Sequence, residues 1–221
     1  MNVLLGIDLG TTSLKVSLYS ETGLRIGSQS REYPIQVPQP GFAEQDPLDW
    51  WNAFINCCQQ LKADYPEAFE QIAGIGICGQ MHSQVYLDQH DQILRPAISW
   101  MDQRTASIAE RYNRDASIKD LIFENTSNTA STTYSAMHIR WVKENQPEIW
   151  EKTESILIAK DYLKFRLTGQ KATDYSEASG TLLFDNQREK WSQEMFDLFE
   201  IPSQLIPEVS ASDVIIGTVS A

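Results

Sequence analysis

Positive charge is scarce in this chain. Its 221 residues include 18 Lys and Arg against 30 Asp and Glu, which gives a formal net charge of -12. That charge repels the phosphates of nucleic acids and the surfaces of anionic membranes, so a small-molecule partner is favoured. No apolar run approaches the length of a membrane span, and no basic leader precedes the first predicted strand. We therefore expect a cytoplasmic protein with no nucleic-acid and no membrane partner.

Cysteine is rare too, and its pattern does not indicate a metal site. The three cysteines, Cys57, Cys58 and Cys78, are an odd number without metal-ligand spacing. Cys57 and Cys58 fall inside a predicted helix, where a bridge between neighbours would be strained. We interpret all three as reduced, small core residues.

Two common phosphate-binding motifs are missing near the amino terminus. The segment Gly6–Lys15 has neither the Gly-Lys-Ser/Thr of a Walker loop nor the Gly-x-Gly-x-x-Gly of a dinucleotide site. After its turn, the apolar residues Leu14, Val16 and Leu18 alternate with polar ones, which predicts a strand rather than a helix. The turn therefore joins two strands.

The same segment carries one carboxylate and a turn rich in hydroxyl groups. The apolar run Val3–Ile7 predicts a strand buried on both faces, with Asp8 at its end. Gly10 permits a tight turn with open N-H groups. The hydroxyls that follow belong to Thr11, Thr12 and Ser13. Such groups suit phosphate oxygens, and Asp8 suits the accompanying magnesium. An ordinary hairpin, whose Asp and Thr residues only satisfy the turn, is the alternative.

Strands come first along the chain. A third strand is predicted over Leu24–Arg31, and a helix begins with Asp46 as N-cap and Pro47 at its first position. The predicted apolar stripe of that helix is Trp51, Phe54, Ile55, Cys58 and Leu61. The next buried strand is Ile72–Cys78. Three hairpin strands, a helix and a fourth strand follow a ribonuclease H-like order.

Helices dominate later. The pattern is helical from Gln103 to Gln146, with Ile139, Trp141 and Val142 on predicted buried faces. The remaining predicted elements are a helix over 147–150, a strand over 156–158, a helix over 161–167 that stops at Thr168-Gly169, loop and strand over 171–184, and a helix over 191–199. No internal repeat, linker or clean domain boundary is visible.

A second candidate site is the segment Gly79–Ser83, directly after a predicted buried strand. Gln80 and His82 offer neutral donors and acceptors that suit sugar hydroxyls. The cluster Trp100–Arg104 adds an indole, a carboxylate and a guanidinium. The alternative is that His82 is a structural histidine and that Asp102 caps the following helix.

Together these motifs resemble the amino-terminal lobe of the FGGY family of carbohydrate kinases, and within it the xylulokinases. The matching segments, in family order, are Gly6-Ile-Asp-Leu-Gly-Thr-Thr, Glu44-Gln-Asp-Pro-x-x-Trp-Trp, Gly79-Gln-Met-His, Trp100-Met-Asp-Gln-Arg, Lys160-Asp-Tyr-Leu and Thr168-Gly. The resemblance implies one α/β domain over residues 1–221 with an actin/hexokinase-like (ribonuclease H-like) fold. Its expected features are a mixed five-stranded sheet, helices on both faces and an inserted, mainly helical region.

The resemblance also implies a transfer of the γ-phosphoryl group of ATP to a sugar hydroxyl, with ATP and Mg²⁺ as cofactors. Asp8 would serve the catalytic metal and phosphate site. The residues expected at ATP are Gly10, Thr11, Thr12, Ser13 and Lys15. Those expected at the sugar are Gln80, Met81, His82, Trp100, Asp102 and Arg104, although Trp100 could equally be a core or wall residue. A homodimer of the full-length protein is a further expectation.

The identity of the sugar rests on fewer residues. Gln80-Met81-His82 resembles xylulokinases, whereas glycerol kinases carry an Arg-Glu pair there and gluconate kinases also tend to have Met-His. D-Xylulose, converted to D-xylulose 5-phosphate, is favoured. Ser83 stands where many xylulokinases have glycine, and His138 where a lysine is common in a similar helix. Other ketoses, polyols and gluconate therefore stay open.

The family's catalytic aspartate lies in a glycine-rich Asp-Asn segment of its second lobe. This sequence contains no match to that segment, and Ser210–Ala221 resembles the stretch just before it. We therefore expect the second, ATP-gripping lobe to be absent from this chain, and the 221 residues alone not to phosphorylate sugar at a useful rate. The alternative from another class is a non-catalytic, actin-like module that binds sugar or nucleotide.

Overall fold

The structure, a computed structural model, describes residues 2–220. Those residues form two compact units, and the chain enters each of them twice. Unit 1 comprises the residues up to Ile35 and Asp46–Gln80, and unit 2 comprises Gln36–Gln45 and the residues from Met81 onward. Because the two units interleave along the chain, no linker marks the boundary between them.

The elements are numbered in chain order. The strands are β1 (Val3–Leu9), β2 (Ser13–Ser20), β3 (Arg25–Glu32), β4 (Glu44–Gln45), β5 (Ile72–Gly79), β6 (Gln84–Leu87), β7 (Ala97–Ile98), β8 (Ser155–Ile158), β9 (Ala172–Asp174), β10 (Phe184–Asp185), β11 (Lys190–Trp191) and β12 (Glu208–Ser210). The helices are α1 (Pro47–Asp64), α2 (Pro66–Glu70), α3 (Ala106–Arg114), α4 (Ala116–Thr126), α5 (Ser135–Asn145), α6 (Pro147–Trp150), α7 (Ala159–Thr168), α8 (Tyr175–Ser179) and α9 (Gln193–Phe199), with a 3₁₀ turn at Ser203–Leu205. Within residues 2–220, none of the helices combines the length and the apolar character that a bilayer crossing requires.

Unit 1 is a mixed sheet with a helix packed on two of its strands. The strand order is β3-β2-β1-β5, with antiparallel pairing along the first three strands and parallel pairing between β1 and β5. Helix α1 packs against β2 and β3. The predicted order of three hairpin strands, a helix and a fourth strand is confirmed, and the structure shows that the fourth strand runs parallel to β1. Among the described residues this sheet has four strands, so the expected fifth strand is not part of it.

One face of this sheet is open within unit 1. Along β1 the side chains alternate, with Val3 and Leu5 buried and Leu4 48% exposed. On β5, which lies at the edge of the sheet, Ile75 is 36% exposed. The prediction that β1 is buried on both faces is therefore wrong, and so is the prediction that β5 is a buried strand. Among the described residues, helices do not cover both faces of this sheet. An apolar sequence predicts a strand, but it does not reveal whether a second layer covers it.

Helix α1 begins as the sequence predicts. The Asp46 side chain accepts a hydrogen bond from the backbone N-H of Leu48, and Pro47 occupies the first turn. The buried residues are Pro47, Trp50, Ala53, Phe54, Cys57 and Leu61. Only Phe54 and Leu61 of the predicted stripe are buried. The observed stripe is shifted by one residue along the helix, and these two positions are common to both stripes.

The three cysteines differ in their exposure to solvent. Cys57 is buried, Cys58 is half-buried and Cys78 is exposed on β5, and all three are unbridged thiols. Burial raises the pKa of Cys58 to about 12. The interpretation as reduced residues is confirmed, but the interpretation as core residues holds for Cys57 alone.

Unit 2 packs helices on an antiparallel sheet with the order β4-β7-β6-β8. The predicted helical insertion is confirmed as α3 to α6, and Ile139 and Val142 of α5 are buried in the core of the unit. Trp141 is only half-buried. Helix α7 ends at Gly169, whose φ of 71° lies in the left-handed region that glycine adopts without strain.

One helix of unit 2 was not predicted. The segment expected to be loop and strand contains the short helix α8, which the Asp174 side chain caps by accepting from the N-H of Glu177. The helix expected over 191–199 begins at Gln193, with Ser192 as its cap. A five-residue helix leaves too short an apolar pattern to be recognised.

Candidate functional site

In unit 1, the candidate phosphate turn connects β1 and β2. Its backbone is closed by the Gly10 N-H, which donates to the Ser13 carbonyl oxygen at 3.0 Å. A Cβ on Gly10 would lie 2.9 Å from that same oxygen, so the turn requires glycine. Asp8 and Lys15 are register partners on neighbouring strands, and both side chains are exposed. The turn thus brings a carboxylate and an ammonium to one face of the sheet, beside the hydroxyl-rich segment.

A buried tyrosine, directly after the end of β3, supports this turn. The Tyr33 hydroxyl donates to the Gly10 carbonyl oxygen, and the Tyr33 N-H donates to the Thr12 carbonyl oxygen at 3.1 Å. Burial, and then the negative charge of Asp8, raise the pKa of Tyr33 above its ordinary value, so the hydroxyl stays a donor. Sequence reasoning missed Tyr33, because nothing in its local pattern connects it to the turn.

The residues of the turn fit a magnesium-phosphate ligand better than a metal bound by protein alone. Across residues 2–220, no group of three or more His, Cys, Asp or Glu side chains could hold a metal ion. Mg²⁺ commonly takes one or two carboxylates and completes its shell with waters and substrate phosphates. Asp8 can supply one such carboxylate, and the turn beside it can supply phosphate donors.

Gln80 ends unit 1, directly after β5. Its N-H donates to the Leu9 carbonyl oxygen at 2.6 Å, and its side chain is buried. A Cβ on Gly79 would lie 2.9 Å from both the Cβ and the carbonyl oxygen of Leu9. The glycine before Gln80 therefore allows the two strand ends to lie close together.

In unit 2, His82 is held in one orientation. Its backbone φ is 69°, a left-handed conformation that a residue with a side chain seldom adopts. The ring Nδ1 lies 2.6 Å from the Gly180 carbonyl oxygen, and the ring stands edge-on to Tyr134 at 5.4 Å between centroids. Burial lowers the pKa of His82, although the bond to Gly180 opposes this change. A carbonyl only accepts, so the neutral ring donates from Nδ1 and keeps its lone pair on Nε2.

Gly180 makes room for this ring. A Cβ at position 180 would lie 2.4 Å from Cε1 and 2.8 Å from Nδ1 of His82, and 3.0 Å from Cε of Met81. The His82 carbonyl oxygen accepts from the Gln84 carboxamide and from the Ser135 hydroxyl, the latter at 3.1 Å. Sequence reasoning missed these supporting residues, because none of them is in the motif and Gly180 is 98 residues away from His82.

Asp102 and Arg104 form a buried ion network. Asp102 is fully buried and receives the guanidinium through two bonds, from Nε to Oδ1 at 2.9 Å and from NH2 to Oδ2 at 2.8 Å. Its Oδ2 also accepts from the Ala43 N-H at 2.6 Å. Glu44 bonds Arg104 at 2.7 Å and also pairs with Arg95. Each carboxylate of this network is therefore occupied by protein donors.

Aromatic rings enclose the same arginine. The Arg104 guanidinium lies 3.8 Å from the ring centroid of Phe42 and 4.7 Å from that of Trp141. The suggestion that Asp102 caps the following helix is wrong, since Thr105 precedes α3 and its side chain makes no capping bond. The contacts favour a structural role for Asp102 and Arg104, which join the β4 segment to the loop after β7. The Trp100 side chain is 37% exposed, and the backbone N-H of Trp100 donates to the Ser83 hydroxyl at 3.3 Å.

A second charged cluster is buried at the base of α8. The Lys160 ammonium lies 2.8 Å from Asp174 and 3.2 Å from Glu177, whose side chain is 2% exposed. Asp161, which is fully buried, pairs with Lys164 at 2.8 Å. Burial raises the pKa of Glu177 to about 7, against the attraction of Lys160 and with the help of the Asp161 charge.

This cluster predicts a pH-dependent stability. Between its ordinary pKa of 4.5 and about 7, Glu177 binds more protons in the folded chain than in the unfolded one. The free energy of unfolding should therefore fall as pH rises through that window, by on the order of 3 kcal/mol. Glu177→Gln should remove the fall, and the exposed control Glu124→Gln should keep it, in urea unfolding at pH 4.5 to 8. If the free energy of unfolding fell with pH no more in the wild type than in Glu177→Gln, this assignment would be wrong.

Sheet order and turn chemistry together define the class. A β-hairpin with an aspartate at its first strand end, followed by a helix and a parallel strand, is the arrangement of the actin/hexokinase-like class. The model of the FGGY family of carbohydrate kinases, N-terminal domain, matches residues 3–221. The chain belongs to the FGGY family of carbohydrate kinases, and it matches the N-terminal domain of that family.

The relatives include xylulose kinases and a gluconate kinase. The chain is 38% identical to the xylulose kinase of Lactococcus lactis subsp. lactis (strain IL1403), over all of this chain and 44% of that protein. It matches the crystal structure of a xyloylose kinase from Brucella ovis with a TM-score of 0.95 and 32% identity, over 100% of this chain and 46% of that one. It matches the gluconate kinase from Lactobacillus acidophilus with a TM-score of 0.92 and 27% identity, over 99% of this chain and 44% of that one. The chain thus spans less than half the length of these proteins.

Proposed function

We propose that this chain is the sugar-binding part of an ATP-dependent kinase that phosphorylates D-xylulose to D-xylulose 5-phosphate. The observation that carries the proposal is the neutral His82 ring, whose Nδ1 is committed to Gly180 and whose Nε2 remains as an acceptor. The similarity to xylulose kinases supports the choice of sugar. A cytoplasmic location fits a kinase of this kind, and a homodimer of the full-length protein remains part of the proposal.

The sugar is oriented by groups of different chemistry. A hydroxyl of the sugar donates to Nε2 of His82, while the Met81 side chain contacts apolar C-H groups of the sugar. Because the His82 ring cannot rotate without losing its bond to Gly180, the acceptor is in place before the sugar arrives.

The turn between β1 and β2 of unit 1 is the proposed binding site for the phosphates of ATP. The N-H groups and hydroxyls of residues 11–13 would donate to phosphate oxygens, while the Gly10 N-H keeps the turn closed. Lys15 would offset the charge of the phosphates, and Asp8 would hold the metal directly or through water. When bound, Mg²⁺ neutralises the charge on the phosphates during transfer. The base for the sugar hydroxyl belongs to the Asp-Asn segment expected from the family, so we propose that these 221 residues bind sugar without phosphorylating it at a useful rate.

Calorimetry with the chain tests this function through binding. D-Xylulose should bind, D-gluconate and glycerol should bind at least about tenfold more weakly, and His82→Ala should weaken D-xylulose by about tenfold or more. The control His90→Ala removes an exposed histidine of unit 2 and should leave the affinity unchanged.

Three results would count against the proposal. If D-gluconate bound more tightly than D-xylulose, the proposed substrate would be gluconate instead. The similarity to the gluconate kinase from Lactobacillus acidophilus is compatible with that result. An unchanged affinity in His82→Ala would favour a non-catalytic module. Rapid ATP-dependent phosphorylation by the 221 residues would refute the expected lack of activity.

A further inference from the structure

A second histidine of unit 2 is connected to His82 through the side chain of Gln84. His138, on α5, is fully buried, and its Nδ1 lies 3.0 Å from Nε2 of the Gln84 carboxamide. Gln84 is itself fully buried at the start of β6, two residues after His82.

The direction of each hydrogen bond in this group is determined by chemistry. The His82 carbonyl oxygen can only accept, so the Gln84 side chain must present its NH₂ group there. That same nitrogen has a second proton, which is directed to the His138 ring. His138 therefore accepts at Nδ1, and its ring is neutral with its proton on Nε2. Burial lowers the pKa of His138 to about 3, which agrees with a neutral ring.

The carbonyl that Gln84 holds belongs to a strained residue. The left-handed backbone of His82 is disfavoured for a residue with a side chain, so other contacts must maintain it. Two donors grip its carbonyl oxygen, the Gln84 carboxamide and the Ser135 hydroxyl at 3.1 Å. Ser135 is the first residue of α5, the helix that also carries His138. The peptide of His82 is thereby tied to α5 in two ways.

We propose that His138 is a positioning residue, which orients the Gln84 carboxamide so that it holds His82 in its sugar-binding conformation. A lysine at this position could not take its place. Its ammonium only donates, and would face the NH₂ group of Gln84. Turning the carboxamide over would place Oε1 against the His82 carbonyl oxygen, an acceptor against an acceptor. The sugar readout of this proposal depends on the proposed function, whereas the conformation of His82 does not.

Three substitutions at His138 test the role. His138→Phe keeps the ring volume and removes the acceptor, and His138→Lys replaces the acceptor with a donor. His138→Asn places an amide oxygen near the position of Nδ1 and should rescue the interaction. The matched structural control is Val142→Ala, which creates a cavity elsewhere on the buried face of α5.

Two measurements on the chain separate positioning from packing. In ¹⁵N spectra, His82 of the wild type, His138→Asn and Val142→Ala should show the tautomer with its proton on Nδ1. In the Phe and Lys variants it should show a mixture of tautomers. D-Xylulose should bind about fivefold more weakly or worse to those two variants, and within about twofold of wild type to His138→Asn.

The tautomer result decides the proposal whether or not the sugar binds. Unchanged His82 signals in both His138→Phe and His138→Lys would overturn it, and so would an equal change in Val142→Ala. If no variant or wild type binds D-xylulose while the tautomers behave as expected, then the proposed function fails and the positioning role of His138 stands. Urea unfolding of each variant verifies that the spectra come from folded protein.

Discussion

Replacing Gly180 with alanine should strongly weaken the proposed binding of sugar while leaving unit 2 folded. The added Cβ would lie 2.4 Å from Cε1 and 2.8 Å from Nδ1 of His82, closer than non-bonded atoms approach. The backbone of Gly180 has a φ of -93°, which alanine adopts without strain, so the effect is steric rather than conformational. The ring must move and lose its bond to the Gly180 carbonyl oxygen. We expect calorimetry to show D-xylulose binding weakened by about tenfold or more.

A second glycine provides the control. A Cβ on Gly76, in β5, would meet no atom within 4 Å, so Gly76→Ala should leave both affinity and stability near those of wild type. Circular dichroism of Gly180→Ala should show intact secondary structure. Wild-type affinity in Gly180→Ala would mean that neither His82 nor Met81 needs its present position to bind the sugar.

Arg104→Ala should lower the free energy of unfolding by more than the loss of an exposed ion pair does. The substitution leaves the fully buried Asp102 without its guanidinium, and it empties the space between Phe42 and Trp141. Removal of one partner of a buried pair typically costs about 3–5 kcal/mol, because the remaining charge stays desolvated. Urea unfolding of wild type and variant measures the difference.

The exposed pair Arg114–Glu110 is the matched control. Its side chains are 75% and 63% exposed, so Arg114→Ala should change the free energy of unfolding by about 0–1 kcal/mol. The D-xylulose affinity of folded Arg104→Ala then separates the two roles considered for this residue. An affinity near wild type supports the structural role, whereas a loss as large as that of His82→Ala would place the arginine at the sugar.

Local features were predicted well because their causes lie within a few residues. The alternation of β2, the Asp46-Pro47 start of α1 and the Gly169 end of α7 all appear in the structure. In each case the deciding interaction is a capping bond, a backbone angle or a two-residue period. The same local patterns also predicted the order of three hairpin strands, a helix and a fourth strand in unit 1, and the structure confirms that order.

Predictions that depended on a second layer were less accurate. We expected β1 to be buried on both faces and β5 to be a buried strand. What covers a sheet is decided by other segments, and Leu4 and Ile75 are exposed. The stripe of α1 was placed one residue out of phase, because Phe54 and Leu61 fit two stripes equally. Neighbouring tryptophans and neighbouring cysteines made the pattern ambiguous, and only packing against β2 and β3 selects Trp50 and Cys57.

The sequence alone determined the chemistry that is available: a carboxylate and hydroxyls around Gly10, and a Met-His pair after a strand. These are properties of residue types and short spacings, so they can be recognised in the sequence alone. Only the tertiary structure decided which groups are committed elsewhere. Asp102 and Arg104 neutralise each other in the interior, and His82 is aimed by Gly180 and Gln84. The physical reason is that burial and hydrogen bonding are non-local: a side chain is available for a ligand only where the rest of the fold leaves it so.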